Sequence, residues 1–271
     1  MSLVALDLSD GYVAALALSI AGVLGLAIGS FLNVVAWRVP RDESVLHPPS
    51  ACPACHAPIR RRDNVPVLSW LLLRGRCRDC SARISRRYPL VELATSVVFV
   101  VLTLVVGVSW ALPAYLYVGA LWVVLTLIDL DVRRLPDVIV LPSYGVVAVL
   151  LALGSWGEGD WPALWRALVC GAVLYAFYFL AMIVYQGGMG FGDVKLAGVL
   201  GMALGWLGWG QFAVGAFGAF LLGGFFSIGL MVARRAGRKS TIPFGPWMLG
   251  GAALGTVVGA PLWDAYLGLM L

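Results

Sequence analysis

The stretch LAGVLGMALGWLGWGQFAVGAFGAFLLGGFFSIGLMV, Leu196 to Val232, decides how the rest of this chain is read. Its 37 residues carry no charge. They are too many for one membrane crossing and few for two of ~20 residues each. The flanks resolve the ambiguity: Lys195 precedes the stretch, and Arg234, Arg235, Arg238 and Lys239 follow it. Basic residues stay on the cytosolic side of a membrane, so both ends lie inside and the chain crosses twice. The spacing predicts a tight turn near Gly208–Gln211.

The same reasoning extends outward. Hydrophobic residues make up 61% of the 271-residue chain and charged residues only 12%, which excludes an ordinary soluble domain. The first apolar stretch, roughly Tyr12 to Trp37, follows Asp7 and Asp10 and meets Arg38 and Arg41 at its far end. It lacks the basic start and small-residue cleavage site of a secretory signal, so it reads as a retained helix with its N-terminus outside. Further apolar segments lie at about 89–107, 111–128, 138–154 and 163–185, and a last one at about 247–267. The expectation is an all-α membrane protein of about eight transmembrane helices with both termini outside. Loops 38–88, 129–137, 186–195 and 234–245 are then cytosolic and hold 18 of the 19 Lys and Arg, Arg166 being the exception. The sequence pI of 9.1 therefore reflects clustered charge flanking a membrane and not a nucleic-acid footprint.

Between the first and second spans sits a polar, basic segment. Cys52-Pro-Ala-Cys55 and Cys77-Arg-Asp-Cys80 place four thiols as a CxxC…CxxC pair with 21 residues between the halves. That pattern suits one tetrahedral zinc ion. Two disulfides are disfavoured in a reducing cytosol, and a redox CxxC lacks its usual context. Four thiolates leave no open position, so the metal is expected to be structural. Cys170 lies in a span and reads as a small apolar residue.

Ionisable groups at membrane depth are costly and usually functional. Two carboxylate blocks qualify, and the derived topology puts both on the cytosolic face. The first is Ile128-Asp129-Leu130-Asp131, followed by Leu135-Pro136-Asp137; the second is Gly188-Met189-Gly190-Phe191-Gly192-Asp193. Two aspartates on separate helix ends facing one cavity are the minimum for aspartic-protease chemistry. One takes a proton from water, and the other, still protonated, polarises the carbonyl under attack. Asp131 and Asp137 are expected instead to cap helix ends or to pair with Arg133 and Arg134.

In order along nearly the whole chain, these blocks resemble the type IV prepilin peptidases, the bifunctional leader peptidases and N-methyltransferases of bacterial pilus and type II secretion systems. The resemblance rests on Gly29-Ser30-Phe31-Leu32-Asn33-Val34-Val35 closing with Arg38-Val39-Pro40, on Asp63-Asn64-Val65-Pro66-Val67-Leu68-Ser69-Trp70-Leu71, and on Arg74-Gly75-Arg76-Cys77. Ile84-Ser85-Arg86-Arg87-Tyr88-Pro89-Leu90-Val91-Glu92-Leu93 and Ile242-Pro243-Phe244-Gly245-Pro246 complete it. It implies that the catalytic pair is the Asp opening a D-x(5)-[LI]-P block and the Asp of GxGD. Counting back from Leu135-Pro136 gives Asp129 and not Asp131; the second is Asp193. It also implies prepilin and pseudopilin substrates cut at the cytosolic face of the bacterial inner membrane. S-adenosylmethionine would then methylate the new amine. Gly29 and Asn33 are candidates for methyl-donor binding by position only, and Glu43, Asp63 and Glu92 for the basic leader.

On this reading residues 1–38 form the first transmembrane helix, 39–88 the zinc module and 89–271 a membrane peptidase domain of about seven helices. Partners are the substrates and membrane lipid, with no nucleic acid; the oligomeric state is not legible. The main alternative is an ion-coupled transporter whose carboxylates relay protons and whose zinc loop regulates, although the halves show no corresponding repeat.

Overall fold

The computed structural model describes residues 11–184, 190–233 and 244–270. Asp7, Asp10, Gly188, Met189, the Arg234–Lys239 cluster and Ile242-Pro243 lie outside the described residues. Those described are nearly all helical: α1 (Gly11–Arg38), the short α2 (Leu68–Leu72), α3 (Arg87–Val106), α4 (Leu112–Val132), α5 (Asp137–Glu158), α6 (Trp161–Val184), α7 (Phe191–Leu207), α8 (Trp209–Val232) and α9 (Gly245–Met270). Apart from α2, eight are long, as the charge pattern requires. Seven are long and apolar enough to cross a membrane by themselves. The eighth is α7, only 17 residues long. It ends at Leu207 and α8 begins at Trp209, with Gly208 between them at a φ of 158°. Leu196–Val232 thus lies in two helices that turn at Gly208, and the chain is a multi-pass membrane protein.

The chain divides into two compact units. The first comprises residues 11–108 with 119–124; the second comprises 109–118 and the described residues from 125 onward. In the first unit α1 packs along α3. The approach is backbone to backbone: a β-carbon on Gly25 would stand 2.6 Å from the Cα of Ser96, and one on Gly29 would stand 2.7 Å from the Cα of Glu92. Only glycine permits such contact, and where lipid replaces water such small-residue seams hold helices together. Ser96 adds a hydrogen bond from its hydroxyl to the Gly22 carbonyl at 2.9 Å.

In the second unit α7 is the central rod. Leu196 to Trp206 are buried without a break, and α5, α6, α8 and α9 all touch the helix. A helix apolar on every face is stable only when surrounded. Its far end is tied down by polar groups. The Tyr115 hydroxyl donates to the Ala203 carbonyl at 2.7 Å, and Trp206 Nε1 donates to the Ser155 hydroxyl at 2.9 Å. Arg166, which the sequence reading left outside its cytosolic loops, finds its use here. Its guanidinium donates to the Gly205 and Trp206 carbonyls, each at 2.6 Å, and caps the negative end of α7. The outer faces stay apolar, with Val184, Phe225 and Leu16 more than half exposed, as lipid-facing residues should be.

Candidate active site and metal centre

The polar segment of the first unit folds as two matched knuckles. In the first, Cys52 N–H donates to the Ala57 carbonyl at 3.0 Å and His56 N–H to the Cys52 carbonyl at 2.9 Å. In the second, Cys77 N–H donates to the Ala82 carbonyl at 2.8 Å and Ser81 N–H to the Cys77 carbonyl at 3.0 Å. His56 and Ser81 hold corresponding positions, both left-handed, with φ of 58° and 62°. His56 is thus a turn residue of the knuckle, the counterpart of a serine.

The knuckles bring Cys52, Cys55, Cys77 and Cys80 together, with all four sulfurs within 4.8 Å of one another. Cys52 Sγ and Cys80 Sγ lie 3.8 Å apart. Four sulfurs each ~2.3 Å from a tetrahedral zinc would be separated by about 3.8 Å, the spacing of Cys52 and Cys80, so the cluster is of a size to hold that ion. All four are free thiols. The backbone N–H groups of Cys55 and Ala54 lower the Cys52 thiol to about 6. Cys80 receives help from the Ala82 N–H, but the thiols of Cys55, Cys77 and Cys52, together with burial, push it up to about 12. One thiolate forms readily in this cluster and the last does not; a divalent cation removes that conflict. Salt bridges from Arg78 to Asp63 at 2.6 Å and from Arg60 to Asp79 at 2.9 Å brace the module.

The carboxylates of the second unit are sorted by their helices. Asp129 lies in the last turn of α4, which ends where Arg133 turns left-handed and donates its N–H to the Asp129 carbonyl at 2.9 Å. Asp129 is 5% exposed, whereas Asp131 is exposed. Residues two apart point away from each other on a helix, so only one of the pair can face inward. Asp193 sits in the first turn of α7 and accepts the Gly190 N–H at 3.3 Å.

The two carboxylates converge on the start of α9. A methyl group placed on Gly245 would lie 2.7 Å from Asp129 Oδ2 and 3.7 Å from Asp193 Oδ1. The two oxygens are therefore within the sum of those distances, across a space that glycine leaves open. Asp129 Oδ2 is buried with no hydrogen-bond partner among the described residues, an expensive condition unless something is meant to occupy that space. Phe244, just before Gly245, is held by Phe220 at 5.5 Å and Tyr178 at 6.2 Å between ring centroids, which sets the entry of α9.

Asp137 opens the first turn of α5, at a helix end as expected. It pairs not with Arg133 or Arg134 but with Lys195, whose Nζ lies 2.8 and 2.7 Å from its two oxygens. The Tyr144 hydroxyl, two turns further along α5, donates to the Lys195 carbonyl at 2.6 Å. Lys195, Tyr144 and Gly245 are the site residues that the sequence reading did not single out. A lysine two positions after a membrane-face aspartate was the available signal for the first.

The other candidates are largely committed elsewhere. Gly29 is packed on Glu92, and the Asn33 amide, buried, donates to the Gly29 and Tyr88 carbonyls at 3.2 and 3.4 Å. Both serve the α1–α3 seam. Glu92 is buried and accepts the Val67 N–H at 2.7 Å, and Asp63 is held by Arg78. Of the three acids suggested for a basic leader, only Glu43 has no side-chain partner among the described residues.

Comparison with known proteins agrees with this organisation. Residues 23–106 match the bacterial peptidase A24 N-terminal domain, and residues 116–228 match the type IV leader peptidase family. The prepilin leader peptidase/N-methyltransferase of Aeromonas hydrophila is 38% identical over 256 residues, covering 85% of this chain and 87% of that protein. That of Neisseria gonorrhoeae is 37% identical over 259 residues, covering 85% and 86%. The type 4 prepilin-like proteins leader peptide-processing enzyme of Escherichia coli O78:H11 is 38% identical over 273 residues, covering 91% and 96%. No solved structure matches. The transporter alternative finds no support among these relatives, and the chain belongs to the type IV leader peptidase family.

Proposed function

We propose that this protein is a membrane aspartic endopeptidase that removes the leader of type IV prepilins and pseudopilins and then methylates the new N-terminus. The observation that carries the peptidase reading is the convergence of Asp129 Oδ2 and Asp193 Oδ1 on the open space at Gly245. A water in that space touches both carboxylates. The ionised one takes a proton from the water as its oxygen attacks the scissile carbonyl. The protonated one donates to the carbonyl oxygen; as the tetrahedral intermediate collapses, the first passes the water's proton to the leaving amine and the second recovers its own from the new hydroxyl. Prepilins enter the membrane as helices, and helical peptide bonds resist attack. The glycines before Asp193 and at Gly245 leave room for an unwound stretch.

The site is assigned to the cytosolic face of the bacterial inner membrane, with both termini outside, because the basic loops require it. The four cysteines would hold a structural zinc that fixes the loop between α1 and α3. S-adenosylmethionine is the methyl donor suggested by the relatives' names. The test is purified, detergent-solubilised enzyme incubated with a full-length prepilin and S-adenosylmethionine, with the product read by mass spectrometry. Loss of the leader followed by a gain of one methyl group on the new N-terminus supports both activities. An uncut substrate refutes the peptidase, and a cut but unmethylated one refutes the transferase.

A further inference from the structure

The two proposed reactions need two sites, and the carboxylate pair accounts for one. In the first unit Asp63, Asp79 and Glu92 are engaged by Arg78, Arg60 and the Val67 N–H. Its cysteine cluster leaves a bound metal no open position. It does contain a cavity of about 390 Å³, walled by the end of α1 through Ser30, Phe31 and Arg38 and by the following loops through Leu46, Pro48 and Asn64. That volume suits a molecule the size of a nucleoside carrying an amino acid.

Three polar groups on this wall have hydrogen-bonding capacity that the protein does not use. Hydroxyls elsewhere in these helices turn back on the carbonyl four residues earlier, as at Ser19, Thr95 and Ser143. The Ser30 hydroxyl, in the same helical setting, has no partner among the described residues, and neither has the side-chain amide of Asn64. Arg38 is pinned by two bonds, from Nη1 to the Ser44 carbonyl at 2.9 Å and from Nη2 to the Pro48 carbonyl at 2.8 Å. Among the described residues it pairs with no carboxylate and makes no further side-chain hydrogen bond, which leaves its remaining N–H donors available. A fixed, unpaired guanidinium beside a hydroxyl and a carboxamide, set among apolar carbons, is the lining of a site for a small molecule with an anionic end.

We propose that this cavity binds S-adenosylmethionine, with the donor's carboxylate on Arg38, its adenosyl portion against Phe31 and Pro48, and hydrogen bonds from Ser30 and Asn64. The inference rests on the N-methyltransferase reading. The chemistry asks for no metal and no acid pair. The lone pair of the unprotonated N-terminal amine forms the new bond to the methyl carbon. The carbon–sulfur electron pair withdraws onto sulfur to leave a neutral thioether, and the methylated ammonium sheds a proton to water. A cavity that orients the donor is sufficient.

The test is calorimetric binding of S-adenosylhomocysteine to the full-length, metal-loaded enzyme in detergent. Ser30→Leu fills the cavity, Arg38→Met removes its charge and Arg38→Lys restores it. The first two are expected to weaken binding by ~10-fold or more, the third by less. A monodisperse elution profile and wild-type zinc content show that Ser30→Leu folds. If it does not, Asn64→Ala on the exposed loop takes its place, with several-fold weaker binding expected. Wild-type affinity in Ser30→Leu and Arg38→Met overturns the site. So does unchanged affinity accompanied by loss of co-purifying anionic phospholipid, which would make the cavity a headgroup site. Wild-type enzyme that neither binds the probe nor methylates shows instead that the transferase reading itself has failed.

Discussion

Lys195 Nζ grips both carboxylate oxygens of Asp137, at 2.8 and 2.7 Å, and so ties the first turn of α7 to the first residue of α5. Asp193 lies two residues before Lys195, and Asp129 lies on the helix that leads into Asp137. The pair therefore sets the distance between the carboxylates without touching the reacting atoms. Positioning errors of about 1 Å can cost ~100-fold in rate. Lys195→Met and Asp137→Asn are each expected to lower the rate of prepilin cleavage by ~10-fold or more, with less effect on KM. The exchange Asp137→Lys with Lys195→Asp recovers part of the loss. An exchange no better than either single variant contradicts a positioning role.

Gly245 should tolerate nothing larger. The methyl of Gly245→Ala would lie 2.7 Å from Asp129 Oδ2 and intrude on the space between the two carboxylates. Cleavage is expected to fall below detection while S-adenosylhomocysteine binding is unchanged, because that probe belongs to the other unit. Gly250, where a β-carbon would come no closer than 3.3 Å to the end of the Leu222 side chain, is the control and should accept Ala with most activity intact.

The cysteine cluster predicts one zinc per chain by elemental analysis. Cys77→Ser is expected to lose most of it, and strong chelators should open both knuckles to protease. Protons compete with metal for thiolates, so retention falls as pH falls. Purified wild-type protein without metal, or with metal undiminished in Cys77→Ser, would contradict the assignment.

A second pH effect comes from Asp63. The hydrogen bond from Arg78 holds its carboxyl below the ordinary value of 3.8. A carboxyl lowered on folding stabilises the fold above its unfolded pKa and loses that contribution as pH falls through the lowered value. Asp63→Asn should therefore melt at a lower temperature than wild type near neutrality, and the gap should close below the carboxylate range. A gap that persists at about pH 3 would show that the pairing is not its source.

The membrane plan was legible because its cause is local: apolar length and flanking charge are both printed along the chain. Lys195 and the basic cluster after Val232 placed the turn that Gly208 makes. The knuckles were legible for a related reason, since each CxxC is a short-range unit and only their pairing is long-range. The choice of Asp129 over Asp131 came from the family resemblance, by counting back from Leu135-Pro136, and Asp129 is the buried one of the two. The partners of these residues were not legible. Whether Asp137 meets Arg133, Arg134 or Lys195 depends on how α5 lies against α7, and the chain carries no local mark of that. Gly29 and Asn33 show the converse. A small or polar residue near a helix end reads the same whether it faces a ligand or another helix, and here the α1–α3 seam claims both.

The central claim is that Asp129 and Asp193 form the catalytic pair, and cleavage of a purified prepilin by single variants tests it most directly. Asn keeps the shape of Asp and removes its acid–base function. Asp129→Asn and Asp193→Asn are each expected to lower cleavage by about 10² to 10⁴-fold, while Asp131→Asn cuts at a rate near wild type. Cleavage that survives in either of the first two variants, or is abolished in Asp131→Asn instead, would contradict the assignment.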